Sequence, residues 1–505
     1  MNKKLQMNLV IIKADELRFD ALSCAGNSMV KTHNIDRLAE HGVNFNNAFC
    51  VSPLCVPSRV SFFTGQYVNT HKGISNGQKD HIGLDQIALP QLMKEAGYAT
   101  ALCGKNHAFQ HAYCDRWFDI REEYTHWGKI HGEIRLSDDK VSEYRHNDQR
   151  PEFSNFGPAG GYPLLGEGLI EGAEPFDEKE CMTWRIAEDS VKFVSEHRDE
   201  PFFLHMSFPD PHWPNTVCEP YYSMIAPESI PDLEAFPMDW TGHPFKHFVQ
   251  SQACGYDHYT EAERKRILAT CYGQIMFIDK AVGMLLDELN AQGLTDNTLI
   301  IFTSDHGDFN GCYGLIGKTG GFMDTLLRIP LIISGPDIPA GKKSSAMLSN
   351  IDILPSIMEL MGMEIPESVQ GRSVLPSIKD QKITHRKAVF AEVGSAVVPP
   401  PPIPIAEYSN YNRMRTEKDG WFWFVEYASN GRSAAIRTDR WKYAYYVGDC
   451  DELYDLNNDA FEENNLSSNP MHYNIKQKLR DQLFDWMLSA PFGVEPDVLH
   501  DELDK

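Results

Sequence analysis

Four apolar runs, far apart in the chain, each end in a cluster of charged or polar residues. This recurrence limits the folds open to the chain more than any other feature. Residues 9–14 are apolar except for Lys13, and Asp15-Glu16 follow. Residues 99–103 deliver Gly104-Lys105-Asn106-His107, and residues 201–207 lead to Asp210-Pro211-His212-Trp213-Pro214. Residues 298–303 end in Ser304-Asp305-His306-Gly307-Asp308. Runs without polar alternation suit strands covered on both faces. Between them the spacing turns helical, most clearly over 261–289, where Ile275, Ile278, Val282, Leu285, Leu286 and Leu289 recur before Gly293. Shorter helices are predicted over 35–41, 89–97, 183–197 and 352–361. Alternation of this kind predicts an α/β fold with a parallel sheet. Such a sheet brings the carboxyl ends of its strands to one rim, where ligands bind.

At 505 residues the chain can hold one large domain and a smaller one. Its character changes near 380. Four consecutive prolines fall within 399–404, a stretch that must be extended and that serves equally as lid, linker or oligomer contact. Residues 434–446 and 452–455 then read as antiparallel strands, and 475–488 as a terminal helix. The expected division is 1–378 and 379–505. Residues 108–180, rich in aromatics, His, Gly and Pro, read as long loops and a substrate-facing insertion. Arg116, Trp117, His126 and Trp127 are candidates there to touch a substrate. The formal charge of -24 excludes a nucleic-acid partner, which would be repelled. The opening apolar run is too short for a leader or a membrane span. The 11 cysteines are scattered without metal-type pairs, so a cytoplasmic, reducing location is expected.

Two adjacent carboxylates at a buried strand end, Asp15 and Glu16, repel each other unless a cation intervenes, so they point to a divalent metal; a solvated turn accounts equally well for an isolated pair. The stretch 55–65, CVPSRVSFFTG, carries a second signal. Pro57 suits a first helical turn, and Arg59 stands one turn in. Cys55 would then sit at a helix N-terminus beside a cation, a place prepared for an oxyanion.

This stretch resembles the signature of the type I sulfatases, in the alkaline-phosphatase-like superfamily, with Phe63 where the family usually has Leu. The resemblance extends from Asp15 to about Leu466. It implies a large mixed, mostly parallel sheet flanked by helices, with a smaller C-terminal antiparallel sheet plus helix. It implies that Cys55 is oxidised to formylglycine by a maturation enzyme. Asp15, Glu16, Asp305 and His306 would join position 55 in binding one divalent metal. Family precedent favours Ca²⁺, and His306 leaves Mg²⁺ or Mn²⁺ open. Gly104-Lys105-x-His107 resembles the arylsulfatase segment in which the lysine binds sulfate and the histidine contacts the formylglycine hydroxyl. His212 would protonate the leaving oxygen, and Lys318 would bridge sulfate and leaving group. Arg59 would add positive charge, and Asn76 would contact the transferred group.

The implied reaction is a double displacement on a sulfate monoester. One hydroxyl of hydrated formylglycine attacks sulfur and releases the alcohol. Loss of the other hydroxyl proton, taken by His107 or a carboxylate, expels sulfate and restores the aldehyde. The alternative within the same fold is a phosphonate monoester or phosphodiester hydrolase; relatives with that chemistry commonly carry Tyr-x-Thr where Lys105-x-His107 stands. The alcohol, whether aryl, sugar or aliphatic, is not specified, and a homo-oligomer is left open.

Overall fold

The structure is a computed structural model that describes residues 6–76, 81–126, 128–131, 134–135, 171–232, 239–254, 260–380, 382–394 and 431–490. The proline stretch 399–404, Trp127 and much of the 108–180 segment lie outside the described residues.

Strand β1 (Asn8–Asp15) is the axis of the fold. Its side chains alternate between the two faces of the sheet. Leu9 and Ile11 join one core with Phe62 and Phe63, while Val10, Ile12 and Ala14 join the other with Ile275, Ile278 and Val282. A strand buried on both sides has no use for polar alternation, which is why its sequence is an apolar run. Lys13 is the exception, fully buried with its Nζ 3.4 Å above the Phe62 ring. Burial pushes its ammonium well below the usual lysine range.

The other strands of the large sheet are β2 (Gly42–Phe49), β3 (Ala99–Gly104), β4 (Ile120–Thr125), β5 (Gly128–His131) and β6 (Ile134–Arg135). A short pair, β7 (Glu171–Glu174) and β9 (Asn215–Cys218), flanks β8 (Phe202–Pro211) in sequence. Then come β10 (Thr298–Ser304), β11 (Arg328–Ser334) and β12 (Lys342–Ser349). The ten-stranded sheet has the order β12-β2-β11-β10-β1-β8-β3-β4-β5-β6. Strands β10, β1, β8, β3 and β4 run parallel, as do β2 and β12. Antiparallel β11 makes the sheet mixed. The reading of 108–180 as loop is corrected here, because β4 extends the parallel run beside β3.

One face is covered by the helix Glu261–Ala291, which begins with a capping box from Thr260 and Glu263. The helix Cys55–Thr64 lies against the other core, all ten residues buried. It ends at Gly65, whose φ of 66° lets its N–H close on the Ser61 carbonyl. A four-stranded antiparallel sheet follows, comprising β13 (Ala388–Val393), β14 (Ser433–Thr438), β15 (Trp441–Tyr446) and β16 (Glu452–Asp455). The helix Tyr473–Ser489 packs on it through Trp486, stacked on Phe390 at 4.7 Å. Trp486 also meets Tyr67 edge-on at 5.0 Å, so the small sheet is seated on the large one. Among the described residues no helix is long and apolar enough to cross a membrane.

Candidate active site

Register sets the rim. Ala14 pairs with Ser304, and Ser207 lies between Lys13 and Gly104. Asp15, Asp305 and Lys105 therefore leave β1, β10 and β3 at one level, with β8 between β1 and β3. Gly104 is needed at its place: with φ of 114°, it sits where a Cβ would collide with the Ser207 carbonyl oxygen.

Cys55 opens its helix at this rim and is 1% exposed. Two side chains fix that helix end. Asn76 Oδ1 accepts from the Val56 N–H at 3.1 Å, satisfying one open donor of the first turn. Asn350 Nδ2 donates to the Ser58 carbonyl at 3.1 Å and to Ser58 Oγ at 3.0 Å.

Asp15, Cys55, Asp305 and His306 bring one donor atom each within 4.8 Å of one another. His306 Nε2 lies 3.3 Å from Cys55 Sγ, 3.9 Å from Asp15 Oδ1 and 3.8 Å from Asp305 Oδ1. Asp15 Oδ1 is buried and has no hydrogen-bond partner. An anionic oxygen in that position is costly unless a cation meets it. Two carboxylates, one of them with this orphaned oxygen, an imidazole and the side chain at position 55 fit a divalent metal, and they form a metal-coordinating cluster. Glu16 turns elsewhere. Its φ is 64°, its Oε1 accepts from Lys318 Nζ and faces His212 Nε2 at 3.4 Å, and its buried Oε2 has no partner.

Three cations surround the cluster. Arg59, fully buried, donates from Nε to Asp305 Oδ2 at 2.7 Å and from Nη1 to Ser207 Oγ at 2.9 Å. Burial raises the Asp305 pKa, but Arg59, His306 and Lys105 hold the carboxyl below its usual range. Lys105 Nζ donates to Asp15 Oδ2, and burial lowers its pKa to about 8. Burial lowers that of Lys318 to about 7. Lys318 Nζ also stands 3.0 Å from His212 Nε2. The His212 Nδ1 contacts the Trp213 carbonyl, and the ring stacks on His126 with centroids 4.4 Å apart and planes 2° apart. His107 is half-buried, with Nδ1 unpartnered and its ring 5.9 Å from that of His81. Burial, then Lys105 and Arg59, push its pKa down, which favours the uncharged imidazole.

This cluster, centred on a cysteine at a helix N-terminus, coincides with a match of the Sulfatase family model to residues 7–363. The chain belongs to the sulfatase family. It is 28% identical over 442 residues to an arylsulfatase of Clostridium perfringens, spanning 84% of this chain and 86% of that one. It is 26% identical over 505 residues to the uncharacterized sulfatase YidJ of Escherichia coli strain K12, spanning 95% and 87%. Among solved structures, the phosphonate monoester hydrolase SpPMH from Silicibacter pomeroyi shares the fold, with a TM-score of 0.76 over 97% of this chain and 96% of that one, at 22% identity. Family and cluster together describe a sulfatase-type hydrolase active site.

In this sulfatase the structure gathers every residue singled out from the sequence except Trp127, Arg116 and Trp117. Trp127 is outside the described residues, Arg116 lies 5.9 Å over the Tyr113 ring, and Trp117 is buried against Phe109. Sequence reasoning missed Ser207 and Asn350. Ser207 closes an apolar run, where polarity alone was the available signal. Asn350 begins the strand-to-helix turn after β12 and carries no local mark of its contact with Ser58.

Proposed function

We propose that this sulfatase hydrolyses a sulfate monoester with Cys55 carried as formylglycine, produced by a maturation enzyme. One arrangement supports the reading: the Cys55 side chain stands among Asp15, Asp305 and His306, within the signature 55–65. As a thiol it is a poor nucleophile here, since burial and then Asp305 push its pKa up. The hydrated aldehyde would supply two hydroxyls, one to take up the sulfuryl group and one whose proton loss expels sulfate.

Asp15, Asp305 and His306 would hold the divalent cation, with the unpartnered Glu16 Oε2 available to it. The oxygen-rich set favours Ca²⁺. The cation would supply charge neutralisation and a lowered pKa for an adjacent hydroxyl. Lys105 and Lys318 would bind the sulfuryl oxygens. Arg59, engaged with Asp305, acts by holding that carboxylate in place. His212 and Lys318, 3.0 Å apart, would pass a proton to the departing alkoxide. Neutral His107 would accept the proton of the remaining hydroxyl, and Asn76 would steady the helix end that carries it. The catalytic domain is taken as 1–378 and the subdomain as 379–505. The scattered spacing of the cysteines suits a reducing, cytoplasmic setting.

The fold shared with a phosphonate monoester hydrolase supports a second reading, hydrolysis of a phosphonate monoester at the same site. Two measurements decide. A peptide mass spectrum across Cys55, on protein made with a maturation enzyme, is expected to show aldehyde in place of CH₂SH; an intact thiol sinks the nucleophile. Turnover of a sulfate and a phosphonate ester with the same leaving group is expected to favour sulfate, and the reverse order establishes the second reading.

A further inference from the structure

Residues 318–323 form neither helix nor strand, and all but Lys318 are buried. Buried irregular backbone needs partners outside itself, and here charged side chains from the far side of the chain supply them. Lys442 of β15 donates from Nζ to the Phe322 carbonyl at 2.9 Å. Glu462 Oε2 accepts from the Asp324 N–H at 2.6 Å. Lys246 donates from Nζ to the Gly320 carbonyl at 3.0 Å and reaches Ser433 Oγ of β14 at 3.3 Å. Lys442 is itself paired with Asp324 at 2.6 Å and with Glu462 at 2.5 Å, and the side chains of Lys442 and Glu462 are each 1% exposed. The segment has no slack: a Cβ at Gly321 would stand 2.8 Å from His247 Cε1.

Buried ion pairs of this kind add little net stability over a well-packed apolar equivalent. What they do supply is position, and the segment they hold begins with Lys318. We propose that Lys442 and Glu462 are positioning residues that set Lys318 against Glu16 and His212, which makes the small C-terminal sheet a working part of the active site. The inference rests on the catalytic role proposed above for Lys318.

The test is a Lys442→Met/Glu462→Gln pair, which removes both charges together and leaves Asp324 paired with Arg437 at 3.0 Å. On a sulfate ester its kcat falls about 10²-fold, the usual penalty for displacing a catalytic group by about 1 Å, while KM stays near that of the parent. Added to Lys318→Ala, the pair lowers kcat no further. A crystal structure of the pair variant shows Lys318 Nζ displaced from His212. Lys246→Met, which frees the Gly320 carbonyl and Ser433 Oγ, follows the same pattern should the pair fail to fold. Arg440→Gln, at an outer ion pair with Asp455 on the same sheet, keeps the parent kcat.

Losses that add to that of Lys318→Ala overturn the proposal. So do a folded variant with full kcat, a crystal structure with Lys318 in place, and an Arg440→Gln loss of equal size. If Lys318→Ala itself turns over normally, the catalytic reading of Lys318 falls, and the proposal with it. Additivity alongside a strong Lys318 effect removes only the positioning role.

Discussion

The two sides of this active site are built by different means. On the metal side, Asp15 and Asp305 stand at the ends of paired parallel strands, and ladder register fixes their separation. Those residues and His306 are at most 1% exposed. On the side proposed to meet the leaving group, His126 sits at the β4–β5 turn, His212 follows a strand end, and Lys318 lies in irregular chain. The Lys318 and His212 side chains are 11% and 6% exposed. Ladder hydrogen bonds hold the first group locally, whereas the second is held by side chains from other parts of the chain. A site arranged in this way keeps its nucleophile geometry constant while the part that meets the alcohol can change with its supporting loops.

Substitutions can break this contrast, and their effects should descend in order. Cys55→Ala removes the nucleophile and should cut kcat/KM on a sulfate ester by about 10⁴-fold or more, with parent-like circular dichroism. Asp305→Asn takes from buried Arg59 its nearer carboxylate partner and should cost about 3–5 kcal/mol in urea unfolding, together with loss of divalent-metal binding by calorimetry. An unfolding midpoint unchanged from the parent would show that the metal side is not held by its charges. Lys318→Ala leaves buried Glu16 without its cation, so some stability is lost in urea unfolding, and it should lower kcat about 10³-fold on an alkyl sulfate. The loss should be much smaller on a nitrophenyl sulfate, whose leaving group needs little protonation. Equal losses on both esters would move Lys318 from the leaving oxygen to the sulfuryl group. His126→Ala removes only the ring stacked on His212 and should slow alkyl ester turnover about tenfold or less. It should leave divalent-metal affinity untouched.

The same contrast explains what could be read from the amino-acid order. The metal side was legible because each ligand follows a two-sided strand, whose apolar run ends abruptly in charge. The nucleophile helix was legible from Pro57, Arg59 and Gly65. Strand β4, IREEYT, escaped notice because only Glu123 and Tyr124 are buried, so it lacks the apolar run of a central strand. Glu16 reads as the twin of Asp15, yet a positive φ carries its side chain to Lys318. Lys442 and Glu462 look like ordinary surface charges of a small sheet. Apart from each other, their partners Phe322 and Asp324 lie more than a hundred residues away, and no local pattern encodes a contact of that range.

Strand β1 is the first strand in the chain and lies in the middle of the sheet, between β10 and β8. Asn8 and its neighbour across the ladder, Thr298, are 290 residues apart. At ribosomal rates of about 5–20 residues per second, this apolar strand waits roughly 15–60 s for its second partner. Until β10 is made, one edge of a two-sided hydrophobic strand is unpaired, the kind of segment that aggregates. The centrality that lets β1 place Asp15 at the heart of the site thus leaves an apolar strand edge open until β10 has been made.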